Sequence, residues 1–465
     1  MTGTARRPVA DVSQVAGLTA RLAALEAFVA SYVQFPGVFG VAWDKGSNPV
    51  MTRTDSSIGR TATVAAYGTP AVNSFDGAPI FGEIYDVTDT LGNVFARIPK
   101  FYIAKTDGPS FHTVRISKTQ YPGFYLPAVF RDFTTGRELD CYYHGKHKAS
   151  LSAGSKLESK AGAYPLINKN IVDFRTYARA NNAAGLLGYQ QLDIHAQDVI
   201  TTLFQVEFAT LHSQSVMVGL TTAPYDTTHT ATIAEAGVNR VVVATPKAAF
   251  FRVGQAVGVG TTLGGNQVFY GRTVTAITVF DASNTAIAFD GAAATIAVGN
   301  IIYSTGWRNG FAPASVSGFL TANDGRYPCS YRGIESPWGD VWQFVDGVNI
   351  NERQAWVTAN AENYASNVFA YPYTPLGYVN GAAEGYTKAM GFDVAAPFAE
   401  FPVTIGGSLA TYYADYYYNQ PGQRIARVGG YWYNGSDAGL SYWFLNNASS
   451  YASVALGGRL LMKPL

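Results

Sequence analysis

The chain has 465 residues, 48% of them hydrophobic and 14% charged, with a formal net charge of +1 at pH 7. That length suggests roughly two to four domains with buried cores, and the composition excludes a disordered chain and predicts no nucleic-acid partner. No apolar run approaches the roughly 18 residues of a membrane span, and MTGTARRPVADVSQ has no apolar stretch behind its two arginines, so neither membrane insertion nor export by this end is expected.

Val15, Leu18, Leu22, Leu25, Val29 and Tyr32 recur at alternating spacings of three and four. The pattern predicts a short coiled-coil helix within residues 1–34, the alternative being one amphipathic helix docked on its own domain. Phe35-Pro36-Gly37 ends it. Residues 35–93 then read as a β-rich collar, with turn clusters at Asp44-Lys45-Gly46, Asn73 to Gly77 and Leu91-Gly92-Asn93. Arg97 to Lys105 reads as one strand opening an α+β domain, expected to be discontinuous over 94–222 and 303–465. Within it Asn170 is placed to cap a helix running through Phe174 and Tyr177, and Ile194, Ile200, Leu203, Phe204, Phe208 and Leu211 recur at helical spacing. His195 with Asp198, and His212 with Glu207, are residue types that serve metal or acid–base chemistry, but no clear third ligand accompanies them, so no metal is expected. Cys141 and Cys329, the two cysteines, lack C-x-x-C spacing and read as buried thiols, with one long-range disulfide as the alternative.

Between 223 and 302 the texture becomes short β-branched runs at nearly regular spacing (RVVVATP, VFYGRTVTAITVF, TAIAFDG), which predicts an inserted all-β module. Gly258-Val259-Gly260 with Gly264-Gly265 has neither the Gly-Lys-Ser/Thr nor the strand–turn–helix context of a phosphate loop and reads as tight turns. From Val428 to Leu461, Gly429-Gly430 and Gly457-Gly458 bracket a run of Tyr, Asn, Ser, Asp and Ala interrupted by Trp432 and Trp443, without Lys, Arg, Glu, Gln, Met or His. The composition is close to that of antibody paratopes and predicts a displayed binding surface; the alternative is a Gly- and Tyr-rich last pair of strands in an ordinary β core.

Three segments carry a resemblance: Phe101-Tyr102-Ile103-Ala104-Lys105, Trp338-Gly339-Asp340-Val341-Trp342-Gln343-Phe344, and Arg427-Val428-Gly429-Gly430-Tyr431-Trp432 through Gly457-Gly458-Arg459-Leu460. In that order they resemble the C-type lectin fold of the formylglycine-generating-enzyme type. The catalytic cysteine pair of that enzyme is not matched, because Cys141 and Cys329 lie outside the terminal segment that carries it. The sequence is most similar in plan to phage tail receptor-binding proteins and to variable proteins of diversity-generating retroelements, over Val94 to Ala223 and Trp307 to Leu465. In the retroelement family, randomised Asn codons cannot encode Lys, Glu, Gln, Met or Trp, and between Tyr433 and Leu456 only Trp443 departs from that set, which makes it a scaffold residue. The resemblance implies contact residues Tyr433, Ser436, Asp437, Tyr442, Phe444, Asn446, Asn447, Tyr451 and Ser453, all replaceable without disturbing the core. The calcium motifs of the wider lectin fold are missing, so no calcium site and no cofactor is expected.

The function these features imply is adhesion without catalysis: a homotrimeric virion tail protein, assembled in the host cytoplasm, joined to other tail proteins by its N-terminus and binding a bacterial surface receptor, glycan or protein. The alternatives are a tail-borne glycan hydrolase, for which Glu335, Asp340 and Asp346 form the one tight acidic cluster beside aromatic residues, and a cellular ligand-binding protein on the same scaffold.

Overall fold

The computed structural model describes residues 35–465 apart from 67–68, 70, 72, 184–185, 187 and 313–315, together with Arg21. The heptad seam from Val15 to Tyr32 therefore lies outside the described residues. Strands dominate what is described, with two helices of two turns or more packed among them.

Helix α1 (Ile171–Arg179) begins at Asn170, whose Oδ1 accepts from the amides of Val172 at 2.9 Å and Asp173 at 3.0 Å while Asp173 accepts from the Asn170 amide, a reciprocal cap. Helix α2 (Ile194–Phe208) is buried along almost its whole length, so its stability comes from packing rather than from propensity. The helical spacing extends to Leu211, but the helix stops at Ala209, a left-handed residue with φ 51°, and the Leu211 amide instead bonds Pro49 O at 2.9 Å.

A nine-stranded sheet forms the centre. Its middle strands are β1 (Trp342–Asn351), β2 (Glu384–Met390), β3 (Tyr416–Asn419), β4 (Gln423–Gly429) and β5 (Gly439–Leu445), in spatial order β1-β4-β5-β3-β2. Strand period 2 sends Trp443 and Leu445 to one face, into the core with α2, and Tyr442 and Phe444 to the other, towards α1 and Trp342.

Residues 35–93 do not form a separate collar. Val38–Trp43 pairs along its length with His112–Ser117, Tyr85–Thr88 pairs with Val94–Pro99, and Phe39, Phe75 and Phe81 share a core with Leu203 and Trp338. Hydrogen-bond ladders thus cross the expected boundary at 94. The expected strand from Arg97 to Lys105 is also two strands, Val94–Pro99 and Tyr102–Asp107, in different sheets. Lys100 N bonds Asp140 O at 2.8 Å, one step beyond the Pro99–Cys141 pair of the first ladder, and from Tyr102 the chain pairs instead with His112–Ser117 in the other sheet. Cys141 and Cys329 are both buried and unpaired.

Five strands between Arg240 and Ser304 make a sheet of their own, around a core that includes Val241, Phe251, Val257, Ile287 and Ile302. The chain enters and leaves at one place: Ile302 N bonds His229 O at 2.9 Å and Ser304 N bonds Pro224 O at 2.8 Å.

Candidate functional site

The segments around the C-terminal Gly-Gly pairs meet at Arg459, which is fully buried. Its guanidinium donates to Gln343 Oε1 at 2.8 Å, to Gly145 O at 2.9 Å and Lys146 O at 3.1 Å, and to Glu335 O at 2.6 Å and Ser336 O at 3.2 Å. Burial lowers its pKa to about 10, opposed by Glu335 and Asp340. Gly429 (φ 99°) and Gly430 (φ 81°) let the chain turn out of β4 so that Trp432 buries completely, and a Cβ on Gly458 would lie 2.7 Å from the Phe174 ring.

On this frame, the face of the sheet opposite α2 carries a row of aromatic side chains. Glu384 lies opposite Tyr418, Tyr418 beside Phe444, and Phe444 opposite Arg427; one step along, Tyr386 lies opposite Tyr416. Tyr418 and Phe444 rings are 4.8 Å apart, and the Arg427 guanidinium lies 4.3 Å from Phe444 and 4.8 Å from Trp342. Arg427 has no carboxylate partner in this stack; one nitrogen reaches Asn446 Oδ1 at 3.4 Å and Nε has none. Burial lowers its pKa to about 10, and the surrounding Tyr451, Tyr442 and Tyr431 oppose that, so it stays cationic at neutral pH. At the sheet edge Tyr386 donates to Asp437 Oδ1 at 2.8 Å and lies 3.0 Å from Ser436 Oγ, while Tyr416 donates to Glu384 at 3.1 Å. Burial raises the Asp437 pKa, and the bond from Tyr386 opposes it.

The sequence-predicted contact residues divide among several places. Phe444, Asn446 and Tyr451 gather around Arg427, and Ser436 and Asp437 meet Tyr386. Asn447, half-buried, accepts from Ile425 N at 2.9 Å through its backbone, and its own Oδ1 is buried without a partner. Tyr433, 47% exposed, stands apart beside Tyr225, on the side of the inserted module. Ser453 belongs to a turn, its carbonyl accepting from Asn168 N at 3.0 Å and Leu456 N at 3.2 Å. Tyr442 corrects the expectation: it is 2% exposed, enclosed by the rings of Trp342 at 4.7 Å, Phe444 at 5.9 Å and Tyr416 at 6.0 Å. Sequence reasoning missed Tyr386, Tyr416, Tyr418 and Arg427; the alternate tyrosines of Tyr416-Tyr417-Tyr418 were the available signal, since period 2 puts the first and third on one face.

The acidic cluster is held within the scaffold. Glu335 accepts from His147 Nδ1 at 2.8 Å and from the amides of Gly310 at 3.0 Å and Ala312 at 2.8 Å. Asp346 takes both prongs of Arg175 at 2.7 Å, and Asp340 accepts from Trp307 N at 2.7 Å while burial raises its pKa to about 6. All three are at most 2% exposed. Asp198 is bonded by Lys105 at 2.6 Å and Tyr125 at 2.8 Å; Glu207 is bonded by Tyr331 at 2.9 Å and by Arg332; the His195 ring stacks on Phe398 at 4.1 Å. Among the described residues, no group of three His, Cys, Asp or Glu could hold a metal ion. Compared with models of known families and with curated proteins, the chain gives no match.

Proposed function

We propose that this chain is a virion tail receptor-binding protein on a C-type-lectin-like scaffold, presenting the Tyr418–Phe444–Arg427–Tyr451 patch to a bacterial surface receptor. The observation that carries the reading is the combination of a rigid frame with part-exposed aromatic rings over an unpaired buried cation. Aromatic side chains supply contact area at low entropic cost, and tyrosine and arginine are the residues that most often dominate binding energy. The lectin-like scaffold is supported by the meeting of the resembling segments: Arg459 bonds residues of β1 and of the 335–336 stretch, and Trp432 N bonds Asp340 O at 2.9 Å. Adhesion needs no chemistry, and three heads on one stalk would convert weak single-site binding into avidity.

The test is attachment of fluorescently labelled protein to a panel of bacterial strains. Asn446→Ala with Tyr451→Ala should reduce attachment to the recognised strain by at least about tenfold, with a melting temperature close to that of the parent, since both positions are partly open to water. Tyr442→Ala should instead destabilise by about 3 to 5 kcal/mol, as for other buried aromatic truncations. Full attachment by the first variant would sink the reading of this patch.

A further inference from the structure

We propose that a second site, the cleft between the inserted module and the turn at Tyr433, binds an anionic sugar residue. The cleft encloses about 230 Å³, below the roughly 300 Å³ at which drug-sized pockets begin, so it suits a single ring rather than an extended ligand. Two aromatic rings line it, Phe250 at 41% and Tyr433 at 47% exposure. Open rings facing one small concavity are the surface against which the C–H face of a pyranose packs, because the π-face is electron-rich and those hydrogens are electron-poor.

Two cations stand beside the rings. Lys247 donates to Thr228 Oγ1 at 2.7 Å, and Arg326 lies over Phe250 at 5.3 Å while donating to Ala249 O at 2.9 Å. Neither has a carboxylate partner among the described residues; Asp324, close in sequence, pairs with Arg252 at 3.6 Å. The carboxylate that lines the cleft, Asp226, gathers its bonds on one oxygen: Oδ1 accepts from Thr228 N at 2.7 Å and Thr228 Oγ1 at 2.6 Å and lies 3.0 Å from His229 Nδ1. That bond places the His229 proton on Nδ1, and Nε2 is buried without a partner. Two cations without a carboxylate partner among the described residues select a negative charge and the rings select a sugar face, while the Thr228 hydroxyl fixes Lys247 in place, accepting from it and donating to Asp226 Oδ1 at 2.6 Å.

The inference draws on the receptor-binding reading only for the choice of sugars as ligands, and its variants lie away from the Arg427 patch. Isothermal titration of the full chain with trigalacturonate, mannose 6-phosphate, maltotriose, inorganic phosphate and tetraglutamate tests it. At least one of the two charged sugars should bind measurably and more tightly than the other three probes, and which one binds distinguishes a carboxylate from a phosphate group. Lys247→Gln with Arg326→Gln, and separately Tyr433→Ala, should weaken that binding by at least about tenfold, while Asn446→Ala with Tyr451→Ala leaves it unchanged. The proposal is overturned if neither charged sugar binds, if inorganic phosphate or tetraglutamate binds as tightly, if the cation variant binds like the parent, or if the Asn446/Tyr451 variant loses the sugar.

Discussion

Arg427, in the proposed recognition patch, is held by the sheet's own aromatic rings. Its guanidinium lies against both Trp342 and Phe444, whose rings meet edge to face at 5.2 Å, so it is oriented before any ligand arrives, and binding would not have to order it. His195 illustrates a different consequence of burial. Its Nε2 faces Thr358 O at 3.4 Å, Nδ1 has no partner, and burial next to Lys463 lowers its pKa to about 3 from an ordinary 6.5. The unfolded chain therefore binds a proton that the folded chain refuses between about pH 6.5 and pH 3. The stability this neutral imidazole allows is complete above pH 6.5 and is lost as pH falls, by about 2 kcal/mol at pH 5. His144, also buried and lowered, acts in the same direction. Urea unfolding at pH 7 and pH 5 should show a smaller acid loss for His195→Gln than for the parent; equal losses would assign the acid sensitivity elsewhere.

Among the elements, the strand Leu460–Met462 and the residue before it tie the molecule together. Arg459 donates to the carbonyls of Gly145, Lys146, Glu335 and Ser336 described above, in two separate stretches of chain, which the Glu335 amide also joins by bonding Lys146 O at 2.8 Å. Arg459→Met would fill much of the volume but take the guanidinium from the Gly145, Glu335 and Ser336 carbonyls, each at about 1 to 3 kcal/mol, so a loss of at least about 3 kcal/mol in urea unfolding is expected. A loss under about 1 kcal/mol would show that water replaces the guanidinium. The inserted module is the converse case. Thr230 and Ile301 face each other across an antiparallel bridge, and the module's core shares no residue with the main one. Replacing residues 231–300 with a short Gly/Ser linker should leave the main body folded, with near-UV circular dichroism retained. If the shortened chain is unfolded, the contacts of Tyr164 with Thr273 and of Tyr270 with Val454 are structural rather than incidental.

For the whole molecule, the proposed adhesion depends on copy number. Multi-angle light scattering should give a trimer for the full chain and a smaller species after removal of residues 1–34, since Val15 to Tyr32 supply the heptad seam. A monomer at micromolar concentration would remove the avidity argument, though not the tyrosine patch. The two proposed surfaces both draw on the C-terminal stretch, the Arg427 patch through Phe444, Asn446 and Tyr451 and the cleft through Tyr433 and Gly435.

Local chemistry was legible from the residues alone wherever a short-range rule applies. Asn170 had one available helix to cap, the β-branched runs between 223 and 302 had one suitable period, and Gly429-Gly430 marked a turn that other residues resist. The break at Lys100, the end of α2 at Ala209 and the merging of residues 35–93 with the main core were not legible, because each depends on a partner far away in sequence. The same holds for the binding surface. Composition pointed to the stretch after Gly430, but exposure is set by what covers a strand, and only the tertiary structure packed Trp342, Tyr416 and Phe444 around Tyr442 and left Tyr451 open. Period 2 fixes which side chains share a face; packing decides which of them meet water.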